Sequence, residues 1–175
     1  MQELLNMIEI KSPIDDQRLG EVESTDLIQA DEIISSTKKA QKIWAELPLS
    51  ERVEILEEIC MKIDEKKEDI AETMVKEIAK GKQDCIKEIE RSIDLIKAVS
   101  AAAPSLSGEV LYSDAFPKTP KGKVCLSSRD PIGLILAIVP FNYPINLSVS
   151  KLAPALVMGN GVIVKPSSRG ILSFL

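Results

Sequence analysis

The sequence predicts an α/β chain in which a helical N-terminal part precedes the first strand–helix–strand unit of a parallel sheet. Three observations carry this reading. Apolar residues recur at helical spacing in the first half, with Leu56, Ile59, Cys60 and Ile63 at i, i+3, i+4 and i+7. Two apolar runs, "GLILAIV" and "GVIV", are bounded by Gly, Pro and Lys, as expected of strands buried on both faces. Between them "NLSVSKLAPALVMG" has the length and texture of a helix. Strand, helix and strand within about 35 residues make a right-handed crossover.

Composition narrows the class. A chain of 175 residues is long enough for one domain with its own core. Its 45% hydrophobic and 28% charged residues are ordinary for a globular protein, not a disordered one. With three Phe, two Tyr and one Trp, the core rests on Ile, Leu, Val and Ala. A net charge of -5 argues against a nucleic-acid partner, which calls for a basic patch. No run approaches the roughly 18 apolar residues of a membrane span. "MQELLNMIEIKSP" lacks the basic start and cleavage site of a signal peptide, so a cytoplasmic chain is expected. The absence of histidine excludes Ser-His-Asp triads, Cys–His pairs and histidine-ligated metals within this chain. Cys60, Cys85 and Cys125 are widely spaced, with no CxxC, which suggests reduced thiols and neither disulfides nor zinc.

Taken in order, residues 1–25 carry turn signals at "SPIDDQRLG" and supply a short strand or two. From about Asp26 to Ser100 the chain is helical. Ser50 is the candidate N-cap and Gly81 the candidate C-cap of the stretch between them, with a break at "DEKKED". Ile70, Met74 and Ile78 extend its apolar face. The next helix places Ile86, Ile89, Ile93 and Ile96 on one side and Lys87, Glu88, Arg91 and Asp94 on the other. "AAAPSLSGEVLYSDAFPKTPKG" is a connecting stretch, and "KVCLSSRDP" an exposed strand. After the crossover unit, "SRGILSFL" reads as the first turns of another helix. Neither GxGxxG nor GxxxxGK[ST] is present, so a nucleotide bound here does not sit on the usual glycine-rich first turn.

The stretch "PIGLILAIVPFNYPINLSVSKLAPALVMGNGVIVKPS" resembles the first βαβ unit of the NAD(P)-dependent aldehyde dehydrogenase superfamily. The motifs P-x-G, P-F-N-Y-P, K-x-A-P-A-L, G-N and K-P-S carry the resemblance. The FNYP sequence is nearest the branch of non-phosphorylating glyceraldehyde-3-phosphate, lactaldehyde and semialdehyde dehydrogenases. "KAQKIWAELPLSERVEILEEI" is similar to the family's N-terminal helices, and "LSGEV" to the segment before its oligomerisation arm. The implied fold has N-terminal helices followed by a partial Rossmann-like parallel sheet. Residues 1–117 would be the helical part of the cofactor-binding domain, 118–130 the start of the arm, and 131–175 the first, truncated βαβ unit. The implied partners are a small aldehyde and further copies of the chain, with no nucleic acid and no membrane.

The resemblance also implies roles. In the family a cysteine thiolate attacks the aldehyde, hydride passes to the nicotinamide, and water releases the acid. Asn142 matches the asparagine whose amide donates to the developing oxyanion; alternatively, it caps the helix starting near Ile145. The backbone of Ile138, Val139, Pro140 and Phe141 would line the nicotinamide side, and Lys165 would contact the adenosine ribose. Ser168 stands where NAD-preferring relatives commonly carry glutamate, so NADP is permitted and NAD remains possible; it also suits the N-cap of a following helix. Arg91 matches an arginine contacting the substrate phosphate, or belongs to an exposed ion-pair face with Glu88 and Asp94. Arg169 departs from the uncharged residue usual in that branch. The nucleophile, general base and glycine-rich loop of the family lie further along than this sequence runs, and none of its three cysteines stands in for the nucleophile. By itself the chain is therefore expected to be inactive, as a truncation product would be. The competing expectation is a non-catalytic module that binds a nucleotide or pairs with a partner chain.

Overall fold

Two short strands, β1 (Met7–Lys11) and β2 (Arg18–Glu23), pair antiparallel at the start of the chain, as "SPIDDQRLG" leads one to expect. Their turn is closed by the Ser12 amide donating to the Gln17 carbonyl at 2.9 Å and the Ile14 amide to Ser12 Oγ at 3.2 Å. The structure, a computed structural model, describes residues 7–175 apart from Ser107. The signal-peptide expectation falls partly on residues 1–6, and that on "LSGEV" partly on Ser107; both lie there outside the described residues.

Helix α1 (Leu27–Glu46) starts at a reciprocal cap. The Gln29 amide donates to the Asp26 carboxylate at 2.7 Å, and the Asp26 amide to the Gln29 side chain at 2.9 Å. It stops before Pro48, which disfavours a helical conformation at Leu47. Helices α2 (Leu49–Glu65), α3 (Lys67–Ile78) and α4 (Lys82–Ala102) follow, with the break at Lys66, inside the charge run. Two cap assignments change. Pro48, whose ring holds φ at -53°, takes the cap position two residues before Ser50, so Ser50 lies inside the first turn of α2. Helix α3 ends with Ala79 in the left-handed region at φ 53°, and Gly81 instead precedes α4.

The core forms where the apolar stripes of α2, α3 and α4 meet. Leu56, Cys60, Met74, Ile89, Ile93 and Ile96 are buried there together. Glu88, expected on the solvated side of α4, is buried with them at 1% exposure. Beyond α4, β3 (Gly108–Tyr112) and β4 (Val124–Ser128) form an antiparallel hairpin. The exposed β4 was expected, whereas β3 lies in the stretch read as a connection. Its "EVLY" favours strand, but flanking Pro, Gly and Ser hide that signal.

The crossover unit consists of β5 (Leu134–Ile138), α5 (Pro144–Val157) and β6 (Gly161–Lys165), with β5 and β6 parallel. The Gly-Asn-Gly turn before β6 has a steric cause. Gly159 has φ 84°, and a Cβ there would lie 2.9 Å from Pro131 Cγ. Buried Asn160 ties the unit together: its Oδ1 accepts from the Gly133 amide at 2.9 Å, and its Nδ2 donates to the Ala155 carbonyl at 3.1 Å.

Two expectations fail here. Strand β5 is not buried on both faces, since Leu136 and Ile138 are each 61% exposed while Ala137 is buried. Its residues suit double burial, but Leu136 and Ile138, which share one face, are left uncovered. Nor do residues after Lys165 open a helix. The amides of Leu172 and Ser173 donate to the buried Glu77 carboxylate at 2.8 and 3.0 Å, which holds the segment in turns. Among the described residues no helix is long and apolar enough to cross a membrane.

Candidate functional site

Helix α5 is held at both ends by side chains from the N-terminal helices. At its C-terminus, Trp44 Nε1 donates to the Leu156 carbonyl at 2.8 Å, Arg52 Nε to Val157 at 3.1 Å, and Gln41 Nε2 to Gly159 at 2.9 Å. A cation there suits the negative end of the helix dipole. At the N-terminus Pro144 takes the first position, and Tyr143 provides no side-chain cap. Glu88 does so from across the fold, its Oε1 accepting from the amides of Ile145 at 3.0 Å and Asn146 at 3.1 Å. Asn142 therefore does not cap α5, and that alternative falls away. Its side-chain amide has no hydrogen-bond partner among the described residues; its carbonyl accepts from Lys80 Nζ at 3.2 Å.

Immediately before α5, the chain leaves the carboxyl end of β5, where open α/β sheets bind ligands. Ile138 stands opposite Lys165 in the parallel register, and the Val139 amide donates to the Lys165 carbonyl at 3.2 Å. The structure thus brings Ile138, Val139 and Lys165 together, with Pro140, Phe141 and Asn142 following in one turn. Val139 is buried, whereas Ile138, Pro140, Phe141, Asn142 and Lys165 are exposed.

Ser168 and Arg169 line a cleft shared with Phe141, the β1–β2 turn and Glu77. The Arg169 guanidinium lies 5.9 Å from the Phe141 ring centroid, a cation–π contact that the sequence did not suggest. Ser168 is not the N-cap of a following helix, because none forms; Ser167 Oγ instead accepts from the Arg169 amide at 3.3 Å. Lys165 forms no ion pair among the described residues, and both Glu77 oxygens are engaged by backbone amides. An exposed cation at the carboxyl end of a parallel strand, with a neutral serine three residues on, has the chemistry to meet a sugar bearing a phosphate.

Arg91 is exposed on α4. The ion pair with Glu88 considered for it does not form, since Glu88 is buried and bonded to Lys80. Among the described residues no hydrogen bond or ion pair ties Arg91 to the turn at 138–142. The sequence reading missed Glu88 and Lys80. A signal for Glu88 existed, because Cys85, Glu88, Ser92 and Ile96 share helical spacing and all are buried.

The thiols lie elsewhere. Cys60 and Cys85 are buried, and burial pushes both thiols above the ordinary range, away from the nucleophilic thiolate. Cys125 is exposed on β4, in a different sheet. Among the described residues no cluster of His, Cys, Asp and Glu could hold a metal ion.

N-terminal helices, a hairpin and a βαβ unit with this turn at its strand edge define the first part of an aldehyde dehydrogenase fold. The chain belongs to the aldehyde dehydrogenase family, whose model matches residues 1–175. Its relatives include the NADP-dependent glyceraldehyde-3-phosphate dehydrogenase of Triticum aestivum, 40% identical over 170 residues, or 96% of this chain and 34% of that protein. The enzyme of the same name from Streptococcus equinus is 39% identical over 168 residues, 96% of this chain and 35% of that protein. A crystal structure of NADP-dependent glyceraldehyde-3-phosphate dehydrogenase from Bacillus halodurans C-125, complexed with NADP, matches with a TM-score of 0.92 and 40% identity. That match covers 95% of this chain and 35% of the other. The chain spans about a third of the length of the relatives it matches.

Proposed function

We propose that this chain forms the cofactor-side, N-terminal part of an NADP-dependent aldehyde dehydrogenase that oxidises a small aldehyde, such as glyceraldehyde 3-phosphate, to its acid. The observation that carries the proposal is the strand edge itself. There Ile138 lies opposite Lys165, and Asn142 follows within the same turn, its amide free of the helix cap. The names of the relatives support NADP and this aldehyde.

Bound NADP supplies the hydride acceptor. This chain's residues bind and orient. Lys165 offers a cation to the ribose side, Ser168 leaves room for the 2′-phosphate without repelling it, and the backbone from Ile138 to Phe141 lines the nicotinamide side. Asn142 donates to the oxyanion that develops on the aldehyde carbon. Arg91 is the contact proposed for a substrate phosphate. The cytoplasm is the proposed compartment. Self-association through the β3–β4 hairpin is supported by its exposed apolar residues, Leu126 at 76% among them.

The test uses an enzyme uniting residues 1–175 with the remaining two thirds found in the relatives. It should reduce NADP in the presence of glyceraldehyde 3-phosphate. No reduction with that or any other small aldehyde would overturn the proposal. In that enzyme Ser168→Glu should shift the ratio of kcat/KM values toward NAD by about 10- to 100-fold, through repulsion of the 2′-phosphate. An unchanged ratio removes Ser168 from cofactor recognition.

The 175-residue chain alone should show no aldehyde oxidation, because its buried thiols are poor nucleophiles and Cys125 lies off the site. Purified protein mixed with aldehydes and either cofactor checks this by absorbance. Turnover that disappears in a Cys60→Ala, Cys85→Ala or Cys125→Ala variant contradicts it.

A further inference from the structure

One ammonium and one carboxylate meet at the start of α5, and both carboxylate oxygens are bonded. The Glu88 side chain is 0% exposed and that of Lys80 15% exposed. Glu88 Oε1 takes the amides of Ile145 and Asn146, while Oε2 takes the Lys80 ammonium. That ammonium also donates to the Asn142 carbonyl at 3.2 Å and lies 3.7 Å from the centroid of the Tyr143 ring. Lysine has three N–H donors, and here they meet a carboxylate, a carbonyl and a ring face.

We propose that Lys80 and Glu88 are positioning residues that aim the Asn142 side chain; the proposal rests on the oxyanion-donor reading of Asn142 given above. An ordinary helix start is capped by its own N-cap side chain, which costs nothing in long-range order. Here the cap comes from a residue 57 positions away in sequence, so the first turn of α5 is referenced to the α3–α4 frame.

The backbone around Asn142 is then fixed from both sides. Upstream, the Val139 amide is bonded to Lys165, Pro140 has its φ set by the ring, and Phe141 packs under Arg169. Downstream, the carbonyl of Asn142, the ring of Tyr143 and the amides of Ile145 and Asn146 are all held by the Lys80–Glu88 pair. The Asn142 amide is what remains free to point at a ligand. A donor pays no reorganisation cost at the moment of reaction only if its backbone is held in this way.

The two residues act separably, which makes the idea testable on the chain itself. In Lys80→Met, Glu88 still caps α5, so hydrogen exchange at Ile145 and Asn146 should slow or quicken by less than about threefold. The Asn142 side-chain amide should become mobile, its NMR order parameter dropping below about 0.6. Lys80→Arg should restore most of the order. Should Lys80→Met fail to fold, Tyr143→Leu removes the ring alone and carries the same readout.

In the united enzyme, Lys80→Met should lower kcat by about 10- to 100-fold with KM for NADP unchanged. An Asn142 amide as rigid in the variants as in the parent, or a kcat loss that Lys80→Arg does not rescue, overturns the proposal. If the united enzyme reduces no NADP at all, the functional reading fails, while the NMR measurement still decides whether the pair orders Asn142.

Discussion

Replacing Asn142 with alanine in the united enzyme is expected to lower kcat by about 100- to 1,000-fold while leaving KM for NADP nearly unchanged. Only interactions stronger in the transition state than in the ground state speed the chemical step. The aldehyde oxygen is nearly neutral before attack and anionic after it, so a fixed amide donor gains strength as the reaction proceeds. A loss of that size corresponds to about 2.7–4 kcal/mol, the usual worth of one preorganised oxyanion donor. The bland alternative gives different numbers. Were Asn142 a helix cap, its removal would cost about 1 kcal/mol of stability and leave kcat alone. The structure already assigns the cap to Glu88, so urea denaturation of Asn142→Ala should show little loss of stability. Steady-state kinetics alongside that denaturation curve decide the matter. A kcat within threefold of the parent, with any stability change, would end the oxyanion role.

The crossover unit was legible because its signals are local. Apolar runs bounded by Gly and Pro mark β5 and β6, and the Gly-Asn-Gly turn is forced by a backbone conformation that only glycine adopts comfortably. What was not legible depends on partners far away in sequence. Glu88 looks like one member of a charged helical face, and only the approach of α5 turns it into a buried cap. The last eight residues have the apolar pattern of a helix start, yet Glu77 takes the amides of Leu172 and Ser173 and holds turns instead. Both misses are carboxylates satisfying backbone amides about 60 and 95 residues distant, which no windowed periodicity can register. β5 failed for a different reason: its sequence is suited to a sheet covered on both sides, and here Leu136 and Ile138, which share one face, are left uncovered. The strand itself is where the sequence places it; only the burial of Leu136 and Ile138 differs.

Glu88→Ala should destabilise the chain by about 3–5 kcal/mol, the usual cost of removing one partner from a buried ion pair. The substitution leaves the Lys80 ammonium, largely buried, without its anion, and leaves the amides of Ile145 and Asn146 without an acceptor. It also opens a void at a position that is fully buried. A typical domain has only about 5–15 kcal/mol to lose, so the midpoint of urea unfolding should fall by a large fraction of its value. Three companions separate the contributions. Glu88→Gln keeps an oxygen for the two amides but removes the charge, and should fall between parent and alanine. Glu88→Leu combined with Lys80→Met removes both charges at once and should recover part of the loss, though not all, because the two amides stay unpaired. Arg91→Ala, one turn along the same helix but exposed, should stay within about 0.5 kcal/mol of the parent. If Glu88→Ala proves no more harmful than Arg91→Ala, the buried carboxylate does not hold α5, and the origin of the turn at Asn142 must be sought in the β5–β6 edge alone.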